Sequence, residues 1–533
     1  MASTTATRPR ARPARALDGL RAGLAERWFA FGIAACAFGA GAFLLARLTA
    51  WPPHEDETLA LFVGRDSLGE LWTTVTGDRG GAPLHFVVAW VIEHLGGGLT
   101  ALRLASVLFA VASIPVTAAL SARLAGRRIA LVATALASAS WLLLFHGIYG
   151  RMYSLFLLTS ALSYLALLRA VDRGSAARWA LWGLAALAAI ATHPYGALVL
   201  ASQALFLLAR ARTRAALWAQ GAVVLAATPF WYSDLVLAGR FDVGVGGGGE
   251  KLGGPLSVFR FLWQVAGDAS AGFALALVPV LLVAAYGWWV LRRSRPDAAL
   301  LTALVVALPA IGLALARLGD STSPETRHLI FVLPFFSTAV AAGLVSVLRR
   351  ALPIVCALAL LLSAEVAWAW HRTPPLFEGE SHARIVARHA AASWLAVTAR
   401  SDDVLLGYDP LFLGAWERDR SFTRTVVPRA DAKLAVHALS RATPLGRGVW
   451  VLDAGDSAND PPRATIPYRL PKPESSFEAR RFGPYLVIRS REPVGTRSRY
   501  LALAESAMSL GVELEIVDAS VNLDVLRRAH GLR

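Results

Sequence analysis

Lysine is almost missing from this chain: Lys251, Lys433 and Lys472 stand against 50 arginines. Cysteine is as scarce, and Cys36 and Cys356 both lie inside apolar runs, where a thiol behaves as a small hydrophobe. A disulfide scaffold is therefore excluded. Charge is short too, at 17% of 533 residues against 56% hydrophobic, and the mean hydropathy is +0.50. That balance excludes an ordinary soluble enzyme and leaves a membrane protein. The net charge of +16 invites a nucleic-acid reading, but it divides as +4 over residues 1–27, +8 over 28–370 and +4 over 371–533. No segment is a polyelectrolyte tail, so nucleic acid is not an expected partner.

What is present is a series of apolar runs, nearly all between residues 28 and 370. A span needs about 20 apolar residues, and eleven runs qualify: 28–48, 99–122, 129–146, 153–171, 178–193, 195–209, 215–232, 271–291, 298–317, 328–347 and 352–370. The pair 178–193 and 195–209 breaks at His193-Pro194 and reads as two half-length helices meeting at a polar surface. Arginine clusters fall in alternate loops, at Arg123, Arg127 and Arg128, at Arg210, Arg212 and Arg214, and at Arg292, Arg293 and Arg295. The positive-inside rule puts these loops in the cytoplasm. The remaining loops hold acids, with six between Glu55 and Asp78, then Asp234, Asp268 and Glu325. The expectation is a multi-pass plasma-membrane protein with a basic cytoplasmic N-terminus (1–27) and residues 371–533 outside. The N-terminal apolar run, of about 20 residues, is too long for a cleavable signal peptide, whose apolar region runs about 7–15 residues. The apolar stretch from Pro83 to Gly97 would reach only about 22 Å as a helix, so it lies at the outer surface or re-enters.

The first outer loop, 49–98, is too long to be a connector and should carry function. Leu61, Leu68, Trp72 and Val75 recur at helical spacing and predict one helix lying in the interface plane. His54-Glu55-Asp56-Glu57 closes the first span with four ionisable groups, where the membrane makes charge expensive.

Trp51, Asp56-Glu57-Thr58, the interfacial helix, Pro83-Leu84 and Arg103 at the start of the next span resemble the GT-C-type glycosyltransferases of family 39. That family includes the lipid A aminoarabinose transferases and the protein O-mannosyltransferases. His193-Pro194-Tyr195-Gly196 and Arg327-His328-Leu329 with Leu333-Pro334 extend the resemblance across residues 28–370. It implies a polytopic α-helical membrane enzyme of about 11 spans that takes a sugar from a polyprenyl phosphate and places it on a glycan, lipid or protein acceptor outside the cytoplasm. The family's essential first-loop aspartate matches Asp56, with Glu57 beside it. The chain departs from the family where many members carry a second acid after the third span, since it reads His146-Gly147-Ile148-Tyr149-Gly150-Arg151, and it has Gly81-Ala82 where some relatives place a lysine. No cofactor is implied, and a divalent metal is left open.

The chemistry asks for the same residue types. Displacing a lipid phosphate from an anomeric carbon gathers negative charge on the departing phosphate, while a carboxylate takes the acceptor's proton. Asp56 meets the second need, with Glu57 as its tuning neighbour. Arg327, His328, His193, Tyr195, Arg151 and His54, all at outer ends of spans, are the candidates to bind substrate.

Residues 371–533 have a soluble protein's composition. A helix over 381–399, strands at 404–406, 449–452 and 485–488, and a final helix, strand and helix over 498–510, 512–517 and 522–529 predict a small α/β domain. It carries no P-loop, nucleophile elbow or metal-ligand spacing and is expected to cap the acceptor entrance. A lipid-linked polymerase or ligase would share these features. A transporter would need repeated halves and mid-membrane charge, and neither is visible beyond Glu365.

Overall fold

The computed structural model describes residues 12–532 apart from 82, 211, 242–254, 271–273, 319–324, 378–379, 420–421, 423–424, 430, 442–443 and 455–475. A first helix, α1 (Arg12–Ala46), leads into the loop 49–98, named the outer loop from its sequence. There, α2 (Glu55–Gly64), α3 (Leu68–Thr73), a π-helical turn (Thr74–Arg79) and α4 (Pro83–His94) follow in order. The bundle continues through α5 (Leu99–Ala125), α6 (Arg127–Ala139), α7 (Trp141–His146), α8 (Tyr153–Arg173), α9 (Ala176–Thr192), α10 (Gly196–Arg210), α11 (Arg214–Ala226), α12 (Thr228–Phe241) and α13 (Pro255–Ala269). It closes with α14 (Ala274–Ser294), α15 (Pro296–Leu318), a 3-10 turn (Thr326–Val332), α16 (Leu333–Leu348) and α17 (Ala351–His371).

Among the described residues, six segments are long and apolar enough to cross a membrane: Arg27–Ala46, Leu99–Ala125, Tyr153–Arg173, Pro296–Leu315, Thr326–Leu348 and Ala351–His371. Three shorter apolar helices, α9, α10 and α11, accompany them. The chain is a polytopic helical membrane protein. Several runs that read as single spans are broken. The run 129–146 divides at Ser140, whose extended backbone caps α7 and whose hydroxyl donates to the Asp268 carbonyl. The run 215–232 divides at Ala227, just before Thr228-Pro229, where proline removes a helical donor. The run 328–347 opens as the 3-10 turn, in which Leu329 leaves helical geometry, and becomes α-helical only where Pro334 occupies the first turn of α16. Helices α14 and α16 approach so closely that a Cβ on Gly287 or Gly343 would collide with the other helix's backbone, the small-residue packing that membrane helices use.

The outer loop also departs from the single interfacial helix. Ser67 starts a new helix, accepting from the Glu70 amide while Glu70 reaches back to the Ser67 amide. Leu61, Leu71 and Val75 are buried, whereas Leu68 and Trp72 are exposed. Helix α4, 12 residues and so about 18 Å long, is too short to span and packs on α2.

Beyond α17 come α18 (His382–Thr398), β1 (Val404–Leu406), α19 (Pro410–Arg418), β2 (Thr425–Val427), α20 (Ala432–Arg441), β3 (Gly448–Asp453), β4 (Phe477–Phe482), β5 (Tyr485–Ser490), α21 (Arg497–Glu513) and α22 (Val517–Gly531). The sheet order is β2-β1-β3-β5-β4, parallel from β2 to β3 and antiparallel from β3 to β4. The three expected strands are present, and β2 and β4 add to them. The strand expected at 512–517 is absent. Helix α21 runs through Val512, Glu515 turns at φ 58°, and Gly511 lets Ala519 of α22 and Leu452 of β3 pack against it. A tight helical hairpin overrides the alternating Val-Glu-Leu-Glu-Ile pattern. One hydrophobic core joins the outer loop to this domain, with Leu59, Ala60 and Phe62 of α2 and Phe86 of α4 packed with Leu395, Leu411, Phe412, Trp416 and Val449.

Candidate active site

Asp56 and Glu57 part company in space. The Glu57 side chain is wholly buried, and four donors surround its carboxylate. Its Oε1 accepts from Arg103 Nε at 2.8 Å and the Gly150 amide at 2.8 Å, and its Oε2 accepts from Arg103 Nη2 at 2.7 Å and the His54 amide at 3.0 Å. A carboxylate has about four lone-pair positions, and all are filled. Arg103 spends its other donors on the carbonyls of Leu48, Trp51 and Pro52. Glu57, expected beside Asp56 as its tuning neighbour, is thus held by protein donors on every side. It ties the end of α1, the start of α2 and the turn before α8 together, and it has no lone pair left for a substrate proton.

Asp56 faces the other way with 28% of its side chain exposed. Its Oδ1 lies 3.5 Å from Arg151 Nη1, and its Oδ2 accepts from the Tyr149 hydroxyl at 3.3 Å and lies 3.7 Å from His54 Nδ1. Burial pushes its carboxyl up, but the charges of Arg151, His54, Arg327 and Arg79 hold it well below the usual carboxylate range. His54 is the N-cap of α2, its Nδ1 accepting from the Asp56 amide at 3.2 Å and also meeting the Tyr149 hydroxyl at 2.9 Å. The turn before α8 thus supplies Asp56 with a cation, Arg151, and a phenol, Tyr149.

Arg327 is buried, ion-paired with Glu325, and lies over the rings of Tyr153 at 5.1 Å and Tyr149 at 5.7 Å. It enters on a fixed frame, because the neighbouring Thr326 hydroxyl donates to Asp268 Oδ2 at 2.7 Å while Arg372, at the end of α17, donates to Asp268 Oδ1 at 2.6 Å. His328 Nδ1 accepts from the Glu325 amide at 3.1 Å, and His193 Nδ1 accepts from the Tyr195 amide at 3.1 Å. With both Nδ1 atoms used as acceptors, the network assigns the proton of each neutral ring to Nε2, leaving two donors. The rings of His193, Tyr195 and His328 lie 5.2 to 5.4 Å apart, and Tyr153 bridges them to Arg327. All eight expected site residues except Glu57 thus border one region around Asp56, Tyr153 and Arg327.

Sequence reasoning missed several members. Tyr149 stacks between Phe145 and Tyr153 with its hydroxyl on Asp56 and His54. Its four-residue spacing from each was visible, but its partner 93 residues upstream was not. His85 in α4 is buried, its Nε2 makes no hydrogen bond, and burial with nearby Arg151 and Arg79 pushes its imidazole down to about 3. Phe377, from the linker after α17, lies against His54 and stacks on Trp51. Among the described residues, no three His, Cys, Asp or Glu side chains gather as ligands for a metal ion.

The backbone carrying this site matches ArnT from Cupriavidus metallidurans in the apo state, with a TM-score of 0.55 at 16% identity, covering 87% of this chain and 98% of that one. The same protein bound to undecaprenyl phosphate matches with a TM-score of 0.54 at 15% identity and the same coverage. The chain has the GT-C fold. A weaker likeness, TM-score 0.45 at 11% identity over 79% of this chain and 68% of the other, is to the Archaeoglobus fulgidus oligosaccharyltransferase in complex with Zn and sulfate. No family model matches the sequence, and neither does any curated protein. On this backbone Asp56 stands in the first turn of α2, just after the end of α1.

Proposed function

We propose that this protein is a membrane glycosyltransferase that moves a sugar from a polyprenyl phosphate to a glycan, lipid or protein acceptor on the outer face of the plasma membrane. The observation that carries the reading is the charge pattern of the site: one available carboxylate, Asp56, is faced by Arg151 and Arg327, with the imidazoles of His193 and His328 nearby. An ArnT structure of the same fold is bound to undecaprenyl phosphate, which supports a polyprenyl phosphate as the lipid partner here.

In this reading Asp56 takes the acceptor's proton as its oxygen attacks the anomeric carbon. The bond to the phosphate breaks with its electron pair going to the phosphate oxygen, where Arg327, Arg151 and the Nε2 protons of His193 and His328 offset the developing charge. Tyr195 and Tyr153 wall the cradle. Residues 1–27 form a cytoplasmic tail, 28–370 the catalytic bundle and 371–533 an extracytoplasmic domain over the acceptor side. The core shared by α2, α4, α18 and α19 supports that last assignment, since it holds the domain beside Asp56.

The test is turnover of a panel of synthetic polyprenyl-phosphoryl hexoses and pentoses by the full chain in nanodiscs, read as released polyprenyl phosphate. Removing a general base costs about 10² to 10⁴ in rate, so Asp56→Asn should nearly abolish release while donor binding, followed separately, stays intact. Full turnover by Asp56→Asn overturns the assignment.

A further inference from the structure

A base held as strongly anionic as Asp56 accepts a proton only briefly, and the proton needs somewhere to go. The carboxylate's Oδ1 side is closed by Arg151, 3.5 Å away. On the Oδ2 side stands the Tyr149 hydroxyl, 3.3 Å from Asp56 Oδ2 and 2.9 Å from His54 Nδ1. That hydroxyl has one proton and two acceptors. It donates to the Asp56 carboxylate; once Asp56 carries a proton, the hydroxyl turns to the imidazole, its shorter contact, and the phenol oxygen offers its lone pair to the carboxylic acid. That lone pair is a poor neighbour for a carboxylate and a good one for a carboxylic acid. The Tyr149 ring is fixed by its stacking on Phe145 and Tyr153. His54 is 26% exposed, which opens a route to water.

We propose that Tyr149 is a relay between the catalytic base and solvent, carrying the acceptor's proton from Asp56 to His54. The proposal rests on the reading of Asp56 as base. In the step, the Asp56 Oδ2–H bond breaks as its proton passes to Tyr149 Oη, while the Tyr149 O–H bond breaks and its proton joins His54 Nδ1. His54 then gives a proton from Nε2 to water and regains the Nε2–H tautomer by proton exchange with water, which frees Nδ1 again, and Asp56 is an anion for the next acceptor. Protonated Nδ1 can no longer accept from the Asp56 amide, so the first turn of α2 loses its cap in the charged state. Losing that cap favours the return to the tautomer with Nδ1 free. The charged and titratable groups facing His54 are Asp56 and Glu57 of α2 itself and Tyr149 with Arg151 from the turn before α8. The linker presents the Phe377 ring.

The experiment compares Tyr149→Phe and His54→Asn with the unsubstituted chain in the same nanodisc assay. Tyr149→Phe keeps the ring stack and removes only the hydroxyl. His54→Asn keeps a side-chain acceptor for the N-cap and removes the titrating base. Both should lower kcat about tenfold or more with the donor KM unchanged, since proton-transfer groups contribute roughly 10²–10⁴ in rate and direct release to water would partly replace a relay. In the unsubstituted chain, kcat should show a solvent deuterium isotope effect whose proton inventory reports two protons in flight, and both variants should lose that two-proton signature. Normal kcat in Tyr149→Phe, or slower variants that keep the two-proton signature, would overturn the relay. Asp56→Asn separates the two ideas: if it is inactive while Tyr149→Phe is normal, the relay alone fails, and if it turns over normally both fail.

Discussion

The sheet domain and the outer end of the helical bundle both bury arginines, and they treat them differently. In the sheet domain each buried guanidinium is matched. Arg447 makes a two-pronged contact with the fully buried Asp403 at 3.0 and 2.8 Å and adds the Thr398 carbonyl. Arg384 does the same with Asp453, and Arg489 divides itself between Glu478 and Thr398. Around Asp56, three guanidinium groups, those of Arg79, Arg151 and Arg327, act on a single carboxylate, and Glu325 pairs with Arg327. A matched ion pair completes itself and holds a fold. A cluster with surplus positive charge and donors facing inward is completed by an anion from outside.

Glu57 and Arg103 test this contrast most severely, because they sit in the site yet follow the sheet domain's rule. Removing one partner of a buried pair costs about 3 to 5 kcal/mol. Glu57→Ala should therefore reduce thermal stability by that amount and deplete folded protein. Whatever folded fraction remains should still bind a donor lipid. Stability equal to the unsubstituted chain, with turnover selectively lost, would return Glu57 to the list of catalytic groups.

Arg327, though paired with Glu325, stands in the cluster where cations outnumber carboxylates, so its loss should act on binding. A charge-assisted hydrogen bond contributes about 1.5 to 3 kcal/mol, and Arg327→Ala should weaken use of the polyprenyl-phosphoryl donors by at least about tenfold in a protein that remains folded. Arg447→Ala is the control from the other region: it should lower stability and leave the donor dissociation constant of the folded fraction unchanged. Equal effects of the two variants on donor binding would erase the distinction between matched and unmatched arginines.

The parts of this architecture written in local pattern were legible in the sequence. The apolar runs gave the helices of the bundle, and Val404-Leu405-Leu406, Val449–Leu452 and Tyr485–Ile488 gave the centre of the sheet. Local pattern misled where packing outweighed it. The run 512–517 alternates like a strand, but the close approach of Gly511 and Ala519 makes it the end of one helix and the turn into the next. Strand β4 was hidden by its Glu-Ala-Arg-Arg centre, which is half-exposed. Residue types at span ends drew attention to Asp56, Arg151, Arg327, His193 and His328, which the fold brings close together. The partition between Asp56 and Glu57 was not readable, because what decides it is Arg103, 46 residues on, and the backbone amide of Gly150, 93 residues on. A backbone donor leaves no signature in side-chain chemistry.

The mildest contrast lies where the two regions touch. Glu55, immediately before Asp56, pairs with Arg429 of the sheet domain at 2.9 Å, but its side chain is 44% exposed. Exposed pairs contribute about 0.2 to 1 kcal/mol, and the apolar core between α2, α4, α18 and α19 does most of the joining. Arg429→Ala should therefore shift thermal stability by no more than about 1 kcal/mol, with the shift shrinking as salt is raised, and donor release should be unchanged. Because Glu55 and Asp56 are neighbours on one helix turn, a large fall in turnover from this exposed change would show that the domain steers the base through charge. A null result in high and low salt alike would show that it holds α2 through its apolar face, as the packing of Phe62 against Trp416 indicates.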